Sequence, residues 1–291
     1  MNIFPIFGWR EGTFKEYCIA YEKYGGSTAV SPEILSFLHE RHSLNERYFI
    51  HKNGGGACVW KDKYLAGDQR AVNKYMETRY PLNFDEIVLP VPSGFHVVLP
   101  SRTTFLSNLS HKTICNSSHL LNAKRKISIV KNVSGKTRNS RDRELKKFIK
   151  DGGEVHSLDF FDTKNITRIY AELFYQRRGE RPDITSSIDL LNHCKDLLWG
   201  HVLTFNGEPC AMQWITKTED RNRIYLDYVN AGMRMDIKNH SIGTLCAWVN
   251  IKEAFNLGDK INKEVRFSFG RPTADYKERW CLKEPLFRVL Y

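Results

Sequence analysis

The sequence predicts an α/β (α+β) fold: a mixed sheet flanked by helices and laid out in two successive halves. Three observations predict it. Segments with apolar residues at helical spacing alternate with apolar hairpins closed by glycine turns. Late in the chain, residues 224–231 and 265–269 read as parallel strands joined by a helical crossover of the length such a pair needs. The order of helices, hairpin and later strands also occurs twice. A polar stretch at 116–122 separates the occurrences, so the expected units are residues 1–123 and 124–291.

In the first half, residues 13–24 read as a helix with Phe14, Tyr17, Ala20, Tyr21 and Tyr24 on one face, stopped by Gly25-Gly26. Ser31-Pro32-Glu33 supplies an N-cap, a first-turn proline and an acid, and so starts a second helix. Residues 47–52 and 57–64 form a hairpin around Gly54-Gly55-Gly56. That triplet lacks the Lys-Ser or Lys-Thr and the helix of a phosphate loop, so it is read as a turn. A polar helix follows at 69–78. Residues 87–91 and 95–99 are expected as edge or bulged strands, given Pro90, Pro92 and Pro100.

The second half opens on a basic helix closed by Gly152-Gly153, then a strand at 154–158. A helix at 162–176 turns Ile166, Ile169, Tyr170, Leu173 and Phe174 inward. A hairpin at 201–215 turns at Asn206-Gly207, and residues 223–231 add a third antiparallel strand. A polar loop then closes on His240-Ser241-Ile242-Gly243. The helix behind it buries Ala247, Trp248, Ile251, Ala254 and Phe255, and a strand, Gly270-Arg271-Pro272 and a short helix with Tyr276, Lys277 and Trp280 complete the unit. A strand that leads into a glycine at a helix start can hold a phosphate at free backbone amides, which singles out Ser241, Gly243 and Thr244.

Charge is concentrated. The chain carries a net +11, and residues 124–150 hold eleven basic residues against Asp142 and Glu144, a local +9. Such a segment, with Arg138, Arg141, Arg143, Lys146 and Lys147 at its centre, attracts polyanions: an anionic lipid surface, tRNA or DNA. No uninterrupted apolar run of membrane-spanning length occurs. The short apolar run from Ile3 to Phe7 has no basic region before it and does not read as a signal peptide, so the cytoplasm is the expected compartment. The seven cysteines are scattered and never form a C-x-x-C pair, which indicates buried thiols and neither a disulfide framework nor a zinc site.

These residues carry a resemblance. The element order of the second half resembles the GNAT acyltransferase fold, and Phe174 to Gly179, Phe269-Gly270, Tyr276-Lys277 and Trp280 are similar to its Fem-like branch of aminoacyl transferases. Gly8-Trp9, Tyr24-Gly25-Gly26-Ser27 and Ser31-Pro32 extend the likeness to the macrophage-induced antimicrobial-peptide-resistance family. The resemblance implies two tandem GNAT-like halves and an acyl-CoA or aminoacyl-tRNA donor, with no metal. It also implies a role in virulence and in surviving cationic peptides, and a place at the inner face of the membrane. Two positions depart from the pattern. Leu245 replaces a small residue and is expected to crowd a pyrophosphate, and Ser268 stands where Fem-like proteins often carry Asp.

Acyl transfer to an amine needs a polarised donor carbonyl and a proton acceptor. Asp227, Tyr228, His240 and Lys277 are the catalytic candidates, and Ser241, Gly243, Thr244, Tyr276 and Lys277 the donor-binding ones. Three function classes follow, in order: a transferase acting on an envelope amine, a non-catalytic protein holding anionic lipid through its basic segment, and a nucleic-acid-binding regulator. The last ranks lowest because no helix-turn-helix or zinc finger is evident.

Overall fold

The computed structural model describes residues 4–291, so of the N-terminal apolar run Ile3 lies outside the described residues. The chain adopts the expected mixed α/β fold. Its first part is an antiparallel sheet ordered β1 (Trp9–Gly12), β2 (Arg47–His51), β3 (Gly56–Trp60) and β4 (Tyr64–Leu65). Helices α1 (Phe14–Tyr24) and α2 (Pro32–Arg41) pack beside it, and α3 (Gln69–Tyr75) follows. Local chemistry sets these ends. Thr13 and Glu16 form a reciprocal capping box, and Ser31 caps α2 with Pro32 in its first turn.

Residues 87–91 and 95–99 are not the strands the sequence suggested. They run as extended chain and make single bridges, Ile87 with Leu106 and Val97 with Ile114. Pro90, Pro92 and Pro100 remove the N–H groups a ladder needs, and the Pro90 carbonyl is instead taken by the Gly56 N–H. The short α4 (Asn108–His111) and β5 (Ser117–Ser118) follow.

The larger sheet uses β6 (Lys126–Val130), β7 (Gly153–Ser157), β8 (Leu198–Trp199), β9 (His201–Phe205), β10 (Glu208–Glu219), β11 (Arg223–Met233), β12 (Glu264–Ser268) and β13 (Cys281–Pro285). Its order is β13-β6-β12-β11-β10-β9-β7, with β8 also on β10. The helices between them are α5 (Gly135–Lys150), α6 (Thr163–Arg178), α7 (Ile184–Cys194) and α8 (Ile242–Ile261). The last strand, β14 (Arg288–Val289), returns to pair with β5. Strand β6 and helix α7 have no counterpart in the sequence reading. Ile127 and Ile129 alternate as a strand requires, but they lie inside the basic run and register there only as charge.

One packed cluster joins Ile34, Leu38 and Trp60 to Leu190, Leu191 and Trp214. Another joins Ile87, Leu99 and Leu106 to Ile127, Leu286 and Phe287. Where the extended chain at Glu86 meets the larger sheet, Arg266 of β12 is 8% exposed and makes a two-pronged ion pair with Glu86, plus a bond to Glu284 of β13 at 3.0 Å. Five of the seven cysteines are buried, as expected; Cys18 is half-buried and Cys115 is exposed. No described helix is long and apolar enough to cross a membrane.

Candidate active site

The site begins where two parallel strands part. β11 and β12 pair from Arg223 with Glu264 to Asp227 with Ser268. Beyond that point β12 ends, Ser268 faces Ile129 of β6, and β11 runs on to Met233. The β10–β11 register slips between Trp214 and Ile215, leaving Val229 as an extra residue and twisting β11 further from its neighbour. The gap between the strands opens onto two cavities that meet at Tyr228.

The first cavity, about 380 Å³, lies at the start of α8. Gly243 and Thr244 line it, and as first-turn residues their N–H groups have no partner within the helix. Ser241 stands at the N-cap without a side-chain capping bond, so those donors are left for a ligand and add to the positive end of a 20-residue helix. Arg177, Arg234, Lys238 and Arg279 also line this cavity, and no Asp or Glu does. Gly243 is constrained: a Cβ there would come within 2.7 Å of the Met233 sulfur. Leu245 does not crowd the cavity as expected. Its side chain is 1% exposed and packs with Phe148 and Leu203, because the helix turns that position into the core.

The second cavity, about 330 Å³, opens toward the N-terminal part and is lined by Asn83, Asp85, Arg178, Arg271, Thr273 and Lys277 among others. The Gly270-Arg271 turn is held from across the chain. Asp85 accepts from the Arg271 backbone at 3.3 Å and pairs with its guanidinium at 3.0 Å. Gly270 has φ +68° and sits so close to Asp85 that a Cβ would lie 3.0 Å from the carboxylate.

Three residues line both cavities: Arg177, Tyr228 and Tyr276. The Tyr276 hydroxyl donates to that of Tyr228 at 3.3 Å, and Arg177 donates to the Ala231 carbonyl at 2.8 Å. Burial raises the Tyr228 phenol well above its usual value, so it stays protonated. Lys277 Nζ donates to the carbonyls of Phe269 (2.5 Å) and Arg271 (2.7 Å), while burial pulls its pKa down.

The other candidates lie elsewhere. Asp227 lines neither cavity and faces the opposite side of β11 from Tyr228. Burial and the nearby Glu86 push its pKa up to about 7, against the pull of Thr28 and Arg266. His240 borders the first cavity, while its ring packs on Phe148 and Phe205 and reaches Asp151 at 3.3 Å.

On α5, Arg138, Arg143, Lys146 and Lys147 are exposed, whereas Arg141 is tied to Glu144 at 2.5 Å. The helix is fixed to α8 by Asp142, which accepts from Trp248 (3.0 Å) and Lys252 (2.9 Å). Sequence reasoning missed Arg234, Lys238 and Arg279, because nothing in their local pattern marks them. It met Arg177 only as part of a motif.

Among solved structures, the chain is similar to L-PGS from Bacillus licheniformis: 14% identity, covering 96% of this chain and 92% of that one, with a TM-score of 0.48. It is also similar to a possible acetyltransferase from Clostridium difficile 630, at 17% identity over 43% of this chain and 85% of that one, with a TM-score of 0.33. No curated protein matches by sequence. The Mig-14 family model matches residues 31–289, nearly the whole chain, and the protein belongs to the Mig-14 family.

Proposed function

We propose that the protein is a GNAT-like or Fem-like acyl or aminoacyl transferase that modifies an amine of the cell envelope and so contributes to resistance to cationic antimicrobial peptides and to virulence. The observation that carries this reading is the pair of cavities meeting at Tyr228 and Tyr276, one of them cationic and set on an uncapped helix start. The donor, acyl-CoA or aminoacyl-tRNA, places a phosphate at Gly243 and Thr244 among Arg234, Lys238 and Arg279. The acceptor enters from the other side. Arg177, Arg178 and Arg271 outnumber Asp85 there, so the amine that fits is one borne by a phosphate-bearing envelope component.

The chemistry follows from these positions. The amine nitrogen attacks the donor carbonyl and forms the new C–N bond. The Tyr228 hydroxyl, which burial keeps protonated and which accepts from Tyr276, donates to the developing oxyanion and then to the departing thiolate or ribose oxygen as the C–S or C–O bond breaks. Burial lowers the Lys277 pKa and so favours its deprotonated form, whose lone pair takes the amine's proton. An aminoacyl group that brings more ammonium groups than the amine it consumes makes the envelope more positive, which weakens its attraction for cationic peptides.

The test is a thermal shift with acetyl-CoA and with charged tRNA. A ligand at a hundredfold its Kd stabilises by about 2.7 kcal/mol. One of the two is expected to raise Tm, Gly243→Trp to remove the shift, and Lys277→Ala to remove turnover. If neither ligand stabilises the protein, the transferase reading is lost.

A second reading is favoured by the exposed cations of α5: a non-catalytic protein held at anionic lipid on the inner membrane face. Flotation with anionic vesicles in the absence of any ligand response supports it.

A further inference from the structure

A buried chain of side chains ends in the first cavity. His201 Nδ1 lies 3.0 Å from Asn250 Oδ1, and Asn250 Nδ2 donates to Gln213 Oε1 at 2.9 Å. Asn250 is fully buried and Gln213 is 4% exposed. With Asn250 in this orientation its nitrogen also faces the Cys246 sulfur at 3.8 Å, and His201 is the donor from Nδ1. The polarity then runs one way: His201 gives to Asn250, Asn250 gives to Gln213, and Gln213 has its Nε2 left to give. Among the described residues that Nε2 has no acceptor, and it is not sealed in the core. Gln213 lines the first cavity.

We propose that Gln213 is a ligand-binding donor, held by Asn250 and His201 as positioning residues, which recognises a carbonyl oxygen of the molecule whose phosphate sits at the start of α8. This rests on the transferase reading and specifies the donor it takes. Two features of the site define the ligand. The free N–H groups of Gly243 and Thr244 take a phosphate. Asn250 lies two turns further along the same helix, and its side-chain nitrogen reaches back to within 3.8 Å of the Cys246 sulfur, so its partner Gln213 sits one to two turns, roughly 5–10 Å, deeper at 1.5 Å per residue. The walls near it include Ala211, Ala231, Cys246 and Ala247, which offer nothing to offset a second charge. One neutral N–H in such surroundings suits a neutral carbonyl better than a carboxylate. The ligand class is therefore a phosphate-terminated chain with an amide or ester carbonyl near its far end. The pantetheine arm of coenzyme A and the aminoacylated end of tRNA both have that chemistry.

The experiment is calorimetric titration of the full chain with coenzyme A, with an alanylated RNA minihelix and with pyrophosphate alone. Wild type is expected to bind one of the first two. Gln213→Met should weaken that probe about tenfold, the scale of one hydrogen bond, and leave pyrophosphate unchanged. Asn250→Ala should produce a similar loss, with no further loss in the double variant, since Asn250 acts only through Gln213. Gln213→Glu keeps the bond from Asn250 and lacks the N–H, so it carries the test where Gln213→Met does not fold.

Unchanged binding in the Gln213 variants, an equal loss for pyrophosphate, or additive losses overturn the proposal and leave the transferase reading standing. A wild-type protein that binds neither coenzyme A nor the minihelix overturns both. Which of the two probes responds identifies the source of the phosphate.

Discussion

Asp227 and Tyr228 are adjacent on β11 and serve opposite faces. Tyr228 looks toward α8 with Phe267, Phe269 and Trp248 and stands at the junction of both cavities. Asp227 looks back toward the N-terminal part with Arg266, Glu86 and Thr28, in a buried polar seam that reaches no cavity. The alternation of a strand separates them by one residue. Polarity in this strand therefore marks a site on one face and a means of holding the N-terminal segments at Thr28 and Glu86 to the large sheet on the other.

The largest effect is expected at the seam. Arg266→Ala leaves Glu86 and Glu284 without their common partner and is expected to destabilise the protein by about 3–5 kcal/mol in urea unfolding. A milder loss for Arg266→Met with Glu86→Leu would show that the unpaired charge is what costs. On the other face, Tyr228→Phe is expected to lower transfer by roughly 10²–10⁴-fold while changing stability by only about 1 kcal/mol. A large stability loss with intact turnover reverses the assignment of the faces.

Asp227 sharpens the contrast through pH. Its folded pKa of about 7 lies above the ordinary 3.8, so between about pH 4 and pH 7 the folded state keeps a proton that the unfolded state has released. Stability contributed by this group is full below pH 4, falls as pH rises through that window by at most about 1.4 kcal/mol per unit, and is level above pH 7. Asp227→Asn should flatten that slope in pH-dependent melting curves and leave ligand binding in the first cavity alone. The smallest structural effect belongs to α5. Reversing Arg138, Arg143 and Lys147 to Glu should leave Tm nearly unchanged, and weaken binding to anionic vesicles or tRNA by tenfold or more at low salt.

Much of the fold was legible locally. Ser31 caps α2 and Asn206-Gly207 turns the hairpin where the sequence placed them, and the helices read from Thr13 and Asp162 start on those residues as caps, because capping and positive φ depend on a few neighbouring residues. The parallel β11–α8–β12 unit followed from periodicity. Residues 87–99 were misread because apolar alternation suggests a strand while three prolines deny it a ladder. Helix α7 escaped for lack of a clear start signal beyond Asp183.

The site was legible in part. Gly243, Tyr276 and Lys277 were marked by motif and do line the cavities. Arg234, Arg279, Asp85 and Gln213 were not, because each comes from a different element and means nothing until those elements meet.

Residue type and short spacing were enough for most helices and hairpins, the parallel β11–α8–β12 unit, the basic helix and the family, but not for β6, α7 or residues 87–99. The assembled fold was needed to put the cavities at Tyr228 and not at Asp227, to turn Leu245 inward, and to leave Gln213 with a free donor deeper in the cavity that opens at the start of α8. Such facts depend on the parity of a strand against its neighbours and on partners far away in the chain, and neither is encoded locally.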